Sequence, residues 1–107
     1  MIRRALIRDG ARRDIDHHVS FFARTSPAAA DRFLVALRSA IDSLVAMPGQ
    51  GHPGEFLSPF LQGLRSWPIS GFEKTLVLYG PWKGGIQVLA VIHGARDIPS
   101  LPFREEE

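Results

Sequence analysis

The sequence predicts an α+β domain with the element order β-αα-βββ, in which a helical hairpin packs on one face of an antiparallel meander. Before residue 47, apolar residues recur every three or four positions in two segments, a spacing typical of amphipathic helices. After residue 63 they form three short runs separated by turn sequences, which is typical of strands. A chain of 107 residues has the size of one domain, so residues 1–107 are expected to share one core.

The first element is predicted to be a strand at residues 2–7, a short apolar segment interrupted by two arginines. A helix follows, beginning near Asp9 and ending before Thr25. The apolar residues of this segment recur at spacings that place them on one helical face. They are Ala11, Ile15, Val19 and Phe22.

Ser26 and Pro27 predict the start of a second helix, because serine is a favoured N-cap and proline suits the first helical position. The Met-Pro-Gly sequence at residues 47–49 predicts its end. Two helices joined by so short a connection must run antiparallel, and they therefore form a helical hairpin.

Residues 48–63 contain seven glycine and proline residues and are predicted to form a loop. Three runs of strand character follow, LRSWPIS, KTLVLYG and GIQVLAVIHG, with predicted turns at residues 70–71 and 81–85. Pro68 has no N–H group to donate, so its strand is predicted to lie at a sheet edge or to contain an irregularity.

The last run is apolar on both alternating faces, which predicts a central strand covered on both sides. Strict alternation would place Ile86, Val88, Ala90 and Ile92 on one face. The opposite face would then carry Gln87, Leu89, Val91 and His93.

The composition limits the classes of function. There is no cysteine, which excludes disulfides and thiolate metal sites. The apolar runs are too short for a bilayer span and the N-terminus lacks a secretory signal, so we expect a cytoplasmic protein. The histidines are not grouped with carboxylates at metal-ligand spacing, and we predict no metal or other cofactor.

The formal net charge of +2 conceals a basic body with an acidic end. Without the three C-terminal glutamates, 13 basic residues face 8 acidic ones. Such a body suits either a nucleic acid or an acidic protein as partner, and arginine does not separate the two. The strands show no strip of basic and aromatic residues in sequence, which disfavours a free-standing nucleic-acid binder.

Four segments, in order, resemble the RelE/ParE superfamily of toxins from bacterial type II toxin–antitoxin pairs. The second helix of the ParE-like branch is similar to SPAAADRFLVALRSAIDSLVAMPGQG, and its strands are similar to GLRSWPI, TLVLYG and VLAVIHGARD. The resemblance covers nearly all of residues 7–97 and implies the fold predicted above, with residues 98–107 as a C-terminal tail.

The resemblance implies a toxin that inhibits DNA gyrase by binding, contributes to plasmid stabilisation and is neutralised by a ParD-type antitoxin. Two alternatives stay open. RelE-like relatives cut messenger RNA in the ribosome, and a family member can also be inert while still binding its antitoxin.

Ribonuclease chemistry would need a base, an acid and cations at the phosphate. The candidates are Arg65, Tyr79, His93 and Arg96. RelE-like ribonucleases carry many lysines and arginines on the sheet, whereas this chain has only two lysines and an acidic end. The pattern therefore favours a binding protein over a catalyst.

The sheet face opposite the hairpin is predicted to be under-covered, which would expose apolar residues that an antitoxin could bury. The candidate partner-binding residues are Arg65, Trp67, Trp82, His93, Arg96, Ile98, Leu101 and Phe103. At the rim where the last strand ends, His93 and Arg96 are predicted to meet a partner while Asp97 shapes the turn.

Overall fold

A computed structural model describes residues 4–53 and 63–94, and within them two helices pack on a five-stranded mixed sheet. The strands lie in the order β1-β5-β4-β3-β2. The elements are β1 (Ala5–Ile7), α1 (Asp9–Thr25), α2 (Pro27–Ala46), a 3-10 turn (Pro48–Gln50), β2 (His52–Pro53), β3 (Arg65–Ile69), β4 (Phe72–Trp82) and β5 (Gly85–His93). The predicted α+β class and the hairpin-on-sheet arrangement are confirmed.

Two features of the sheet differ from the predicted meander. β1 pairs with β5 in parallel, with Ala5 opposite Ile86, so the sheet is mixed rather than wholly antiparallel. The region predicted to be a loop contributes the 3-10 turn and β2, which pairs with the start of β3. Neither pairing leaves a sequence signal, because β1 and β2 are very short and their partners are distant in the chain.

The helical hairpin forms where the sequence predicts it. Ser26 caps α2, since its hydroxyl accepts a hydrogen bond from the Ala29 amide at 3.0 Å. Pro27 occupies the first turn of α2, and the helix ends at Ala46, directly before Met47. The helices bury Phe33, Leu37 and Leu44 against one face of the sheet, which we call the helix face.

The last strand departs from strict alternation because of a β-bulge. Tyr79 pairs with Val88 and Leu78 pairs with Ala90, so Leu89 is the extra residue. After the bulge the facing of side chains is reversed, and Val91 joins Val88 in the core on the helix face. The predicted assignment of Ala90 and Ile92 to the same face as Val88 is therefore wrong.

The opposite face of the sheet, which we call the far face, carries a second apolar cluster. It consists of Leu64, Leu76, Leu78, Ala90 and Ile92, each no more than 9% exposed. The prediction that this face is under-covered is therefore wrong for its centre. Leu6 of β1 and Trp82 of β4, each 36% exposed, are large apolar residues that remain accessible near its edge.

The free edge of β5 is closed by α1 where β1 ends. The last β1 contact is the hydrogen bond from the Arg8 amide to the Val88 carbonyl. Beyond it, the Val91 amide donates to Asp14 Oδ2 at 3.0 Å, and His18 Nε2 lies 2.8 Å from the Val91 carbonyl. A carbonyl can only accept, so Nε2 carries the proton. Asp14 and His18 lie one helical turn apart and together complete the hydrogen bonding of Val91.

Both predicted turns are present, but the second is tighter than expected. Strands β4 and β5 extend to Trp82 and Gly85, leaving only Lys83 and Gly84 between them. Both have positive φ, 39° and 82°, as a two-residue hairpin of type I′ requires. Pro68 lies at a register shift in β3, in agreement with the predicted irregularity. None of the helices in the described ranges is long and apolar enough to cross a membrane.

Candidate functional site

Tyr79 and Arg65 form a buried junction that holds the segment after α2 against the sheet. The Tyr79 hydroxyl donates to the Pro48 carbonyl at 2.6 Å and accepts from the Gly51 amide at 2.9 Å. Arg65 Nη1 donates to the Gly51 carbonyl at 2.8 Å. A Cβ atom at Gly51 would lie 2.3 Å from the Tyr79 hydroxyl, so only glycine fits this approach.

The environment of Tyr79 keeps the phenol neutral. Burial raises the pKa of Tyr79, and this outweighs the hydrogen bond from Gly51 and the charge of Arg65, which both lower it. The hydroxyl already has one donor and one acceptor on the backbone. The Tyr79 hydroxyl therefore has a structural role, since both of its hydrogen bonds go to the backbone. Arg65 has the same role through Nη1.

The ribonuclease candidates do not share one site in the described residues. Arg65 and Tyr79 are paired across β3 and β4. His93 is exposed at the other end of β5, opposite Thr75. It lies five residues beyond Val88, the partner of Tyr79, which is roughly 15 Å in an extended strand. Arg96, the remaining catalytic candidate, lies outside the described residues, as do Asp97, Ile98, Leu101 and Phe103.

A groove of ≈ 930 Å³ lies between α2 and the β3–β4 hairpin, and we call it the α2 groove. Its floor includes Trp67 and Phe72, and its surface is mainly apolar. One wall is a row of small residues on α2 at helical spacing: Ala36, Ser39, Ala40 and Ser43. Val35 at the rim is 68% exposed. Of the predicted partner-binding residues, Trp67 contributes to this groove.

The α2 groove lies beside an open stretch of strand edge. β2 pairs with β3 only at Arg65 and Ser66, so Trp67, Pro68 and Ile69 have no strand partner on that side among the described residues. The sequence signal for the groove was the row of alanine and serine on α2, which lets another backbone approach closely. That Trp67 lies opposite this row of small residues could be seen only in the folded structure.

A basic cluster lies at Trp82, at the end of β4 away from the α2 groove, and we call Arg8, Trp82, Lys83 and the nearby exposed Arg4 the basic patch. Arg8 Cζ lies 4.5 Å and Lys83 Nζ 5.0 Å from the centroid of the Trp82 ring. Arg8 Nε also donates to Gln87 Oε1 at 2.9 Å. Trp82 was predicted to bind a partner, whereas its contact with Arg8 was missed because Arg8 lies near the other end of the chain.

Among residues 4–53 and 63–94, no three histidine or acidic side chains converge as metal ligands. The described part of the chain offers the α2 groove and the basic patch as surfaces for recognition, and a smaller cavity of ≈ 210 Å³ lies beside Arg65 and Tyr79.

Comparison with known proteins identifies one family. Residues 6–98 match the family described as ParE toxin of type II toxin-antitoxin system, parDE. A solved structure of the chromosomal ParDE TA system from P. aeruginosa superposes with a TM-score of 0.70 at 19% identity, covering 86% of this chain and 96% of that chain. That likeness shows the shared fold. A search of curated proteins finds no match.

Proposed function

This chain belongs to the ParE toxin family of type II toxin–antitoxin systems, and we propose that it acts by binding and inhibiting DNA gyrase until a ParD-type antitoxin neutralises it. Membership of the family, over residues 6–98, is the observation that carries the proposal. The toxin would work in the cytoplasm, where gyrase and the antitoxin are found.

The commitment of Tyr79 and Arg65 supports inhibition by binding over ribonuclease activity. A general acid or base must exchange a proton with its substrate. The Tyr79 hydroxyl instead bonds two backbone groups, and its side chain is 1% exposed. His93 is accessible but lies far along the strand from this pair. The described residues thus favour a toxin that acts by binding its target rather than by catalysis.

The gyrase proposal is tested with purified gyrase and negatively supercoiled and relaxed plasmid. Addition of the toxin is expected to block supercoiling and to accumulate linear plasmid after detergent and protease treatment, as for a trapped cleavage complex. Prior addition of the antitoxin should restore supercoiling. Unaffected gyrase together with cleavage of ribosome-bound messenger RNA would contradict the proposal and favour the ribonuclease alternative. Activity in neither assay would favour an inert, antitoxin-bound member.

The α2 groove supports a helical segment of the antitoxin as the neutralising partner. A row of small side chains lets a second helix approach α2 closely, and Trp67 and Phe72 provide an apolar floor for its anchors. The charged pair at one end of the groove, Asp31 and Arg32, can fix the direction of the bound helix. The groove thus has the features of a helix-binding site.

Filling the groove tests this docking site. Ser39→Trp places a bulky side chain in the groove, and we expect the affinity for antitoxin to fall by about 100-fold or more because the helix can no longer approach. Asp42→Trp adds the same side chain to an exposed position of α2 outside the groove lining, and it should leave affinity unchanged. Equal affinity of both variants, measured by calorimetry, would exclude the groove.

A further inference from the structure

The basic patch is an organised cationic surface rather than a set of loose side chains. The Arg8 guanidinium is held from two directions, by the Trp82 ring at 4.5 Å and by the Gln87 amide oxygen at 2.9 Å. Gln87 is itself fixed, because its Nε2 donates to the Pro81 carbonyl at 3.3 Å. Two groups that would otherwise rotate freely are thus ordered before any ligand arrives, which lowers the entropic cost of binding.

The backbone of the β4–β5 turn also helps to order the basic patch. Lys83 has a φ of 39°, a left-handed conformation that asparagine or glycine would adopt with less strain. That backbone holds the lysine beside Trp82, with its ammonium group 5.0 Å from the ring centroid.

The charge of the patch is not neutralised within the described residues. Neither Arg4, Arg8 nor Lys83 forms an ion pair there, although Asp9 follows Arg8 directly in the chain. Alternation along the extended segment places Arg4 on the same face as Leu6 and Arg8. Two cations therefore contact one indole on the far face, and Arg4 follows on the same face of the neighbouring β1 segment.

We propose that the basic patch binds the phosphate backbone of duplex DNA. Nη1 and Nη2 of Arg8 are free of partners in the described residues, and a guanidinium presents such a pair of donors to one phosphate. Lys83 and Arg4 would neutralise neighbouring phosphates. The π face of Trp82 is already engaged by cations, so the patch offers charge rather than a stacking platform for an unpaired base.

The inference goes beyond the proposed function and can fail separately from it. Binding to free duplex is measured without gyrase, so a negative supercoiling assay would not affect its outcome. If the chain both inhibits gyrase and binds duplex DNA, the patch would contact the DNA that gyrase has bound. Only this contact rests on the proposed function.

The test is fluorescence anisotropy of a labelled duplex of about 20 base pairs, titrated with the purified chain over a range of salt concentrations. We expect Arg8→Gln combined with Lys83→Gln to lower affinity about tenfold or more at low salt. The slope of log K against log salt should fall by about two, one for each lost phosphate contact. The matched control is Arg24→Gln with Arg38→Gln, which removes the same charge from exposed helical positions.

Each other outcome overturns the proposal. Equal loss in the control would mean that binding reflects net charge alone, and wild-type affinity in the patch variant would mean that the patch takes no part. Tighter binding of single-stranded RNA of the same length would contradict the preference for duplex. Displacement of DNA by a glutamate-rich peptide at equal charge concentration would assign the patch to an acidic protein instead. Circular dichroism melting confirms that all variants are folded.

Discussion

The two faces of the sheet use polar groups in opposite ways. On the helix face, the Tyr79 hydroxyl is buried and bonded to the backbone at both of its positions. At the rim of the far face, Arg8 and Lys83 surround an indole with no carboxylate partner in the described residues. Polar groups of the first kind stabilise the fold. Those of the second kind leave charge available to a ligand, and the comparison thereby separates structural from recognition residues.

The largest loss of stability is expected when a core side chain is removed from the helix face. Phe33 is fully buried and packs against Phe22 and Phe72 with ring centroids 5.0 and 5.4 Å away. We expect Phe33→Ala to lower the free energy of unfolding by about 3–5 kcal/mol, through lost burial and the cavity left behind. Urea denaturation measures this change. Phe21→Ala removes a ring that is 56% exposed and should change stability by less than about 0.5 kcal/mol.

A smaller change removes only the hydroxyl of Tyr79. Tyr79→Phe leaves the Gly51 amide and the Pro48 carbonyl without their partner, and we expect a loss of about 1–3 kcal/mol at neutral pH. A loss below about 0.5 kcal/mol would mean that water replaces the hydroxyl, and the junction would then not be a structural lock.

The pH dependence of wild-type stability tests the same structural role of the Tyr79 hydroxyl. Because burial raises the pKa of Tyr79, the folded chain keeps the phenol proton to a higher pH than the unfolded chain. Its contribution to stability is complete below the ordinary pKa of about 10 and is lost as pH rises through the raised value. Denaturation at pH 7 and above pH 10 should show this decline, and Tyr79→Phe should show less of it.

The edge contact at Val91 should have an intermediate effect. Asp14→Ala removes the acceptor of the Val91 amide, and we expect a loss of about 1 kcal/mol, with faster hydrogen exchange at that amide. Asp16→Ala, at an exposed position of the same helix, is the matched control and should be neutral within about 0.5 kcal/mol. Equal exchange in both variants would show that β5 does not need this closure.

The smallest stability change is expected at the basic patch. Arg8→Gln combined with Lys83→Gln removes two cation–π contacts at the protein surface, and solvent screening limits their combined contribution to about 0.5 kcal/mol. Thermal unfolding should therefore shift by only a few degrees. A loss as large as that of Tyr79→Phe would make the patch a structural element and erase the distinction between the faces.

The sequence was informative wherever the signal is local. The cap formed by Ser26 and Pro27 and the break after Ala46 depend on neighbours in the chain, and the structure places them as predicted. The class of fold followed from the change in apolar spacing. The β-bulge at Leu89 could not be predicted, because one extra apolar residue in an apolar strand leaves the pattern unchanged.

Site prediction failed where residues meet across the chain. Tyr79 and Arg65 were recognised as notable, but their structural role depends on Gly51 and Pro48, which contribute only backbone atoms. The patch around Trp82 depends on a residue from the β1–α1 junction, whose approach follows from the parallel pairing of β1 with β5. Contacts of this kind appear only when the topology is known.

That parallel pairing also determines when the basic patch can assemble during synthesis. Residues 5–7 pair with residues 86–88, so β1 has no β5 partner until β5 has left the ribosome. The two segments are separated by about 80 residues, so at about 5–20 residues per second roughly 4–16 s pass between their synthesis. A nascent chain therefore cannot bring Arg8 against Trp82 until β5 has emerged, and this cationic surface assembles only after that strand.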